Sequence, residues 1–216
     1  PHMLPDEATF ASRMEGLGIG NDTFVVVYDA HGLMTAARAW WMLRAFGHDG
    51  VAVLDGGLPK WRAGDLPINA VPPVHRPVSF TAKLRPGLVC NKNLVLENIA
   101  SGAAQTIDAR SAGRFKGTEP EPREGMRSGH IPKSLNLPFT DLIDPGDKTL
   151  LGTEAIRKAV AAAGIDPARP TITSCGSGVT ACVVALSLYR LGNRDIAVYD
   201  GSWSEWGRPG DLPVEI

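Results

Sequence analysis

The sequence predicts an α/β fold made of two tandem units, each a parallel sheet with helices on both faces. One observation is an internal repeat at an offset of 145 residues, which carries Trp61 onto Trp206. The other is the order of elements, because each unit reads as an apolar strand, a loop, a helix and a second apolar strand. That order is typical of parallel sheets covered by helices. The repeat also matches Thr35-Ala36 with Thr180-Ala181, Asp55-Gly56 with Asp200-Gly201, and Ala52-Val53 with Ala197-Val198.

Hydrophobic periodicity places the elements of the first unit in order. A helix is predicted from Asp6 to Leu17, and a strand covers the apolar run from Phe24 to Tyr28. A second helix follows from Thr35 to Phe46, and a second strand runs from Val51 to Leu54. In the second unit the corresponding strand, helix and strand are predicted at 170–174, 180–191 and 196–199.

A proline-rich segment separates the two units. Residues 71–86 contain four prolines and are bounded by polar residues, so they are interpreted as an interdomain linker. The predicted domains are therefore residues 1–70 and 87–216. The strand end from Gln105 to Arg110 has no counterpart in the first unit, because the repeat offset would put it before residue 1. The first domain is thus predicted to be truncated at its N-terminus or proteolysed.

Composition limits the classes of function. The chain has 216 residues, 44% of them hydrophobic, and a formal net charge of -1 at pH 7, which gives no general attraction to nucleic acid or anionic membranes. No apolar run approaches the roughly 20 residues that span a bilayer and no signal peptide is evident, so a cytoplasmic protein is predicted. The cysteines Cys90, Cys175 and Cys182 lack paired spacing, which argues against a disulfide framework or a metal site.

Cys175 follows a predicted strand and opens a loop of small residues before the helix at Thr180. Two glycines let backbone N–H groups turn inward around the sulfur, and the positive end of the helix adds to the same field. Such surroundings lower the pKa of cysteine thiols in general from about 8.5 to about 7 or below, so Cys175 is predicted to be a nucleophile. Its counterpart in the first unit is Ala30, which restricts the chemistry to the second domain. Cys90 and Cys182 are interpreted as structural.

Other kinds of cysteine enzyme are disfavoured by what the loop lacks. Cysteine phosphatases clamp the phosphoryl oxygens with an arginine six residues after the nucleophile, and that position is Ala181. No signature of the thiol proteases is present either. The loop Cys175-Gly176-Ser177-Gly178-Val179-Thr180 instead resembles that of the rhodanese family, in particular its members that use 3-mercaptopyruvate. Thiosulfate-specific rhodaneses usually carry basic side chains in this loop, and this chain has none there.

The resemblance covers nearly the whole chain. It implies tandem rhodanese-like domains, of which the N-terminal one is inactive and the C-terminal one is catalytic. It also implies that Cys175 becomes a persulfide cradled by backbone amides of the loop. The residues expected to bind the substrate and the persulfide through the loop are Gly176, Gly178, Val179 and Thr180.

The resemblance further assigns side chains outside the sulfur cradle. Arg114 and Arg123 match the family's substrate-binding arginines, whose guanidinium groups suit the carboxylate and ketone of 3-mercaptopyruvate. Ser177 and His2 match the serine and histidine that move a proton together with an aspartate, and that aspartate would lie upstream of this chain. Two neighbouring sets are expected to be structural: Asp108 and Arg110 as partners that stabilise the fold, and Lys116, Glu119, Glu121 and Glu124 as surface charges.

The implied function is transfer of sulfur from 3-mercaptopyruvate through Cys175 to a thiol or cyanide, with release of pyruvate. The acceptor is expected to be thioredoxin or a low-molecular-weight thiol, the protein a monomer, and no metal or organic cofactor is expected. Two alternatives stay open. One is thiosulfate sulfurtransferase activity, and the other is a sulfur-carrier or binding module that does not turn over.

Overall fold

The strands form two parallel sheets in the computed structural model, which describes residues 2–216. Strands β1 (Val25–Val27) and β2 (Val51–Val53) make the smaller sheet. The larger sheet has the order β3-β7-β6-β4-β5, and all of its pairs are parallel. Its strands are β3 (Val89–Cys90), β4 (Gln105–Asp108), β5 (Leu135–Asn136), β6 (Thr171–Ser174) and β7 (Ile196–Tyr199). The predicted parallel α/β class is confirmed.

Eight helices accompany the two sheets in residues 2–216. They are α1 (Glu7–Gly16), α2 (Ala36–Ala45), α3 (Gly57–Ala63), α4 (Lys92–Ser101), α5 (Ala112–Phe115), α6 (Thr153–Ala162), α7 (Ala181–Arg190) and α8 (Ser202–Trp206). Short 3-10 turns cover Pro86–Leu88 and Phe139–Leu142. Helices α2 and α7 are related by the offset of 145 at both ends. The residues predicted as the ends of α1, α2 and α7 are the capping residues of these helices. At the start of α1, for example, the Asp6 side chain accepts the N–H of Thr9. None of the helices in the described part of the chain is long and apolar enough to cross a bilayer.

Alternating side chains of the larger sheet enter two different apolar clusters. Ile107 and Val198 pack in the cluster that contains α6 and α7. Ile172 and Tyr199 pack with Trp203 and Trp206 of α8 in the other cluster. Because side chains of a strand alternate between its faces, helices cover both faces of this sheet.

The equivalent helices α2 and α7 join the two units. Trp40 of α2 meets Tyr189 of α7 edge to face, with ring centroids 5.3 Å apart. The guanidinium of Arg44 lies 4.2 Å from the centroid of the same Tyr189 ring. Since one buried cluster contains side chains of both helices, α7 is held against the first unit.

Part of the predicted linker packs against the first unit. Phe80 is buried and packs against Phe10 and Phe46, and its N–H donates to the Glu15 carboxylate at 3.0 Å. Residues 66–85 nevertheless contain no helix or strand. The predicted domain boundaries stay a prediction.

Candidate active site

Cys175 lies directly after β6, a buried strand between β4 and β7. Ligands of parallel sheets bind beyond the carboxyl ends of the strands, which is where this residue lies. Its N–H donates to the Ser202 hydroxyl at 3.1 Å, and its carbonyl accepts the N–H of Trp203 at 2.9 Å. The start of α8 therefore fixes the backbone of Cys175.

The peptide between Gly176 and Ser177 aims an N–H group at the sulfur. The Gly176 carbonyl accepts two hydrogen bonds from Ser204, one from its N–H at 2.9 Å and one from its hydroxyl at 2.5 Å. In a trans peptide the next N–H points the opposite way. The N–H of Ser177 accordingly lies 3.4 Å from the Cys175 Sγ.

Gly178 occupies a position that requires glycine. Its φ is +75°, and a Cβ at this position would lie 2.7 Å from the Asp200 carbonyl oxygen. The Gly178 carbonyl accepts a hydrogen bond from the thiol of Cys182, with a distance of 3.3 Å between sulfur and oxygen. Burial raises the pKa of Cys182 well above its usual value and that of Cys90 to about 12, so both remain protonated at neutral pH.

Two cavities adjoin the loop and share Gly176, Ser177 and Arg114. The cavity that contains Cys175 has a volume of about 300 Å³, and Val179 and Thr180 also line it. The second cavity, of about 180 Å³, is lined by Arg114, Arg123 and Glu121. The structure thus brings both predicted arginines to the loop of Cys175, and Arg114 borders the cavity that contains Cys175.

Arg114 lies on α5, a single helical turn, although the glycines and prolines of residues 113–125 predict a loop without helix or strand. That prediction is wrong at 113–115, because the Ser111 side chain caps the turn by accepting the N–H of Arg114. The guanidinium faces the loop, since a Cβ on Gly176 would lie 3.1 Å from Arg114 Nη2.

Glu121 was predicted to be a surface charge, and this prediction is wrong. Its side chain is only 6% exposed and bridges two arginines, with contacts of 2.7 Å to Arg110 and 2.6 Å to Arg114. Arg110 also pairs with Asp108 at 2.6 Å, as expected for fold-stabilising partners. Burial opposes the charge on Arg110, but Asp108 and Glu121 offset it and raise the pKa of that guanidinium. The alternation of glutamate and proline at 119–122 gives no local signal of which carboxylate turns inward.

Arg123 reaches the loop through another side chain. Its guanidinium hydrogen-bonds the Ser204 hydroxyl, which in turn donates to the Gly176 carbonyl. Sequence reasoning missed Ser204, since only the fold brings α8 beside the loop. Arg123 is therefore linked both to the second cavity and to the peptide that points at Cys175.

His2 is exposed and lies near the far end of the loop. Its carbonyl accepts a hydrogen bond from Arg38, whose guanidinium also donates to the Gly178 carbonyl at 3.0 Å. Ser177 lines both cavities, whereas His2 is among the lining residues of neither. The proton-transfer roles of Ser177 and His2 stay predictions.

Comparison with known proteins gives consistent relatives. A family model described as the rhodanese-like domain matches residues 2–64 and 91–208. The human 3-mercaptopyruvate sulfurtransferase is 44% identical over 219 residues, which cover 99% of this chain and 73% of the relative. An Arabidopsis thaliana protein named thiosulfate/3-mercaptopyruvate sulfurtransferase 1, mitochondrial, is 44% identical over 236 residues.

A solved structure shows the same fold. SseA from Escherichia coli, described as a 3-mercaptopyruvate sulfotransferase, is 41% identical and superimposes with a TM-score of 0.83. The match covers 95% of this chain and 76% of that one. The chain spans 62% of the length of the Arabidopsis relative, although all of this chain is matched.

Proposed function

The chain belongs to the rhodanese-like domain family, and we propose that it transfers sulfur from 3-mercaptopyruvate through a persulfide on Cys175 to a thiol or cyanide acceptor. The observation that carries the proposal is the Ser177 N–H at 3.4 Å from Sγ, in a loop bordered by the Arg114 guanidinium. A sulfur at that position is a nucleophile facing a site for an anion. The names of the two 44% identical relatives support 3-mercaptopyruvate as the donor.

The first half of the cycle breaks the carbon–sulfur bond of the donor. The Cys175 thiolate attacks the donor sulfur, and the electron pair of the broken bond passes to carbon as the enolate of pyruvate. Arg114 and Arg123 would hold the carboxylate and the developing enolate oxygen. Protonation of the enolate carbon gives pyruvate and leaves Cys175 as a persulfide.

The second half returns the enzyme to its starting state. An acceptor thiolate attacks the outer sulfur of the persulfide, the sulfur–sulfur bond breaks, and Cys175 leaves as a thiolate. Backbone N–H groups of 176–180 would stabilise both the persulfide and the thiolate of Cys175. Among these groups, the Ser177 N–H is in contact with Sγ. Ser177, together with His2, is proposed to supply and remove the proton.

Thiosulfate is the second candidate donor. The Arabidopsis relative carries both donors in its name, and Arg114 and Arg123 would attract a small dianion as well. The lack of basic side chains inside the loop 175–180 favours 3-mercaptopyruvate, since a dianion gains more from additional positive charge.

Four further properties are proposed. They are a small thiol or thioredoxin as acceptor, a monomer, a cytoplasmic location, and domains at 1–70 and 87–216 joined by 71–86. One relative at 44% identity is named as mitochondrial, so location calls for fractionation of the source cells. Sedimentation would test the monomer, and proteolysis within the exposed residues 71–77 would test the boundary.

The deciding experiment is pyruvate release from 3-mercaptopyruvate with a thiol acceptor. We expect turnover with the native chain, loss with Cys175→Ser, and no change with Cys90→Ser, which removes another buried thiol. Mass spectrometry after donor treatment should show a gain of about 32 Da on the peptide of Cys175.

The outcomes separate the candidates. Faster turnover with thiosulfate would replace the proposed donor by the second one. A persulfide that forms but is not passed to thiols would indicate a carrier module. Pyruvate release that survives Cys175→Ser would contradict the proposed mechanism.

A further inference from the structure

Arg38 connects the unit without a nucleophile to the loop that holds one. It lies in the first turn of α2, and its residue is 7% exposed. Nη1 donates to the Gly178 carbonyl at 3.0 Å, while Nη2 lies 2.6 Å from the Asp200 carboxylate and donates to the His2 carbonyl. The guanidinium also lies 4.5 Å from the centroid of the Trp41 ring. A buried arginine with this many partners is fixed in orientation.

The peptide between Gly176 and Ser177 shows what a carbonyl anchor does in this loop. Ser204 holds the Gly176 carbonyl on the side facing away from the Cys175 sulfur. The Ser177 N–H of the same peptide then points to that sulfur. A planar trans peptide makes these two directions inseparable. Any group that fixes a carbonyl of the loop on the side away from the cavity thereby aims the following N–H.

The peptide between Gly178 and Val179 has a comparable pair of anchors. Arg38 Nη1 and the Cys182 thiol both donate to the Gly178 carbonyl. The N–H that this peptide turns the other way belongs to Val179, a residue that lines the cavity of Cys175. The anchor here is supplied by the first unit, not by the domain that carries the nucleophile.

We propose that Arg38 is a positioning residue, which orients the Gly178–Val179 peptide so that the Val179 N–H stabilises negative charge on the sulfur of Cys175. This deepens the proposed function and rests on it for its role in turnover. Asp200 keeps the guanidinium in place, because an ion pair with a residue 4% exposed is not easily exchanged for water. At the repeat offset, Arg38 corresponds to Val183. The second unit therefore has no arginine at this position to hold the loop of the first unit.

The test compares alkylation of Cys175 by iodoacetamide in Arg38→Met and in the native protein at pH 7 and pH 10. The charged groups lining the cavity are Arg110 and Arg114, which keep their charge over this range. Loss of one hydrogen bond to a thiolate should lower the rate at pH 7 about ten-fold and leave the rate at pH 10 nearly unchanged. Arg44→Met, on the same helix, is the matched control and should change neither rate.

Arg38→Lys covers the case in which Arg38→Met does not fold. Lysine keeps a charge beside Asp200 but has no planar fork with which to hold Asp200 and the Gly178 carbonyl together. We expect a fall of about three-fold at pH 7 with a melting temperature close to native. An unchanged ratio of rates in a folded Arg38 variant, or an equal loss at both pH values, would overturn the proposal.

Alkylation needs no sulfur donor, so the result does not depend on the identity of the substrate. If the Arg38 variants are alkylated more slowly than the native chain at pH 7 but the native chain releases no pyruvate, the proposed function fails while the role of Arg38 stands. If the native chain turns over and the Arg38 variants are alkylated like it, the role of Arg38 fails alone.

Discussion

The loops at 29–35 and 174–180 follow equivalent strands and lead into equivalent helices, but different side chains accept the N–H groups of the two loops. In the first unit the Asp29 carboxylate accepts the N–H groups of His31 at 2.7 Å, Thr35 at 2.6 Å and Ala36 at 2.8 Å. In the second unit the group that receives an N–H is the sulfur of Cys175. A carboxylate thus accepts the N–H groups at the start of α2, whereas in the second unit a loop N–H faces the sulfur of Cys175.

The charge on Asp29 responds to this environment. Burial opposes ionisation, but the N–H groups of Ala36, Thr35 and His31 outweigh it and hold the pKa of Asp29 below its usual range. At the repeat offset Asp29 corresponds to Ser174, which has no charge to offer. The difference predicts that the first loop is inactive both because its N–H groups are occupied and because it lacks a thiol.

The largest effect on the difference between the two loops is expected when the thiol is moved from one loop to the other. We expect Cys175→Ser to lower sulfur transfer at least about a thousand-fold, and Ala30→Cys in the same chain not to restore it. The introduced thiol would sit beside a carboxylate that already takes the local N–H groups. Pyruvate release measures both effects.

A third substitution tests whether Asp29 limits the reactivity of the thiol introduced by Ala30→Cys. Adding Asp29→Ser frees the N–H groups, so alkylation of the thiol introduced by Ala30→Cys should shift to lower pH. If that thiol reacts equally well with and without Asp29, occupation of the N–H groups does not explain the inactive loop.

A smaller effect is expected from the glycine that shapes the active loop. Gly178→Ala combines a φ of +75° with a Cβ 2.7 Å from the Asp200 carbonyl oxygen, so the loop must move. We expect sulfur transfer to fall about a hundred-fold, since a displaced loop misaims its N–H groups. Gly164→Ala is the control, because its φ is +72° but the space around it is open. It should cost about 1 kcal/mol of stability and no activity. Equal activity losses in both variants would point to backbone strain instead of loop position.

The repeat and the periodicity predicted those parts of the fold that depend on nearby residues. Helices α2 and α7 differ from their predicted ranges only in the assignment of the capping residues. The position of Cys175 after a buried strand was equally visible, because strand, glycine-containing loop and helix follow one another directly.

Contacts between distant parts of the chain could not be predicted in this way. Glu121 looks like any exposed glutamate in its own sequence, and only the buried Arg110 shows why it turns inward. Arg38 and Ser204 approach the loop from α2 and α8, and neither has a local signal. The sequence therefore predicted the position of Cys175 but not the side chains that hold its loop.

Asp29→Asn should weaken the first unit without touching the second. Asparagine keeps one acceptor oxygen but loses the charge, so we expect a loss of about 1–2 kcal/mol in the free energy of unfolding. Because the folded pKa of Asp29 is lowered, its contribution is complete above the unfolded value near pH 4 and is lost as the pH falls through the folded value. Urea unfolding at pH 7, 5 and 3 should show the difference from native constant at first and then shrinking. A slower alkylation of Cys175 in this variant would contradict the separation of the two loops.

The smallest effect concerns the repeated aspartates, each of which accepts an N–H from the other half of the chain. Asp55 accepts the N–H of Leu150 at 2.7 Å, and Asp200 accepts that of Leu4 at 2.7 Å. Asp55 is exposed and lacks the buried arginine that faces Asp200, so water can replace its partner at little cost. We expect Asp55→Asn to lower stability by about 0.5 kcal/mol, with the exposed Asp22→Asn as a control that changes nothing. A loss above about 2 kcal/mol in urea unfolding would mean that Asp55 ties the units together as firmly as a buried ion pair, and that the two aspartates are equivalent after all.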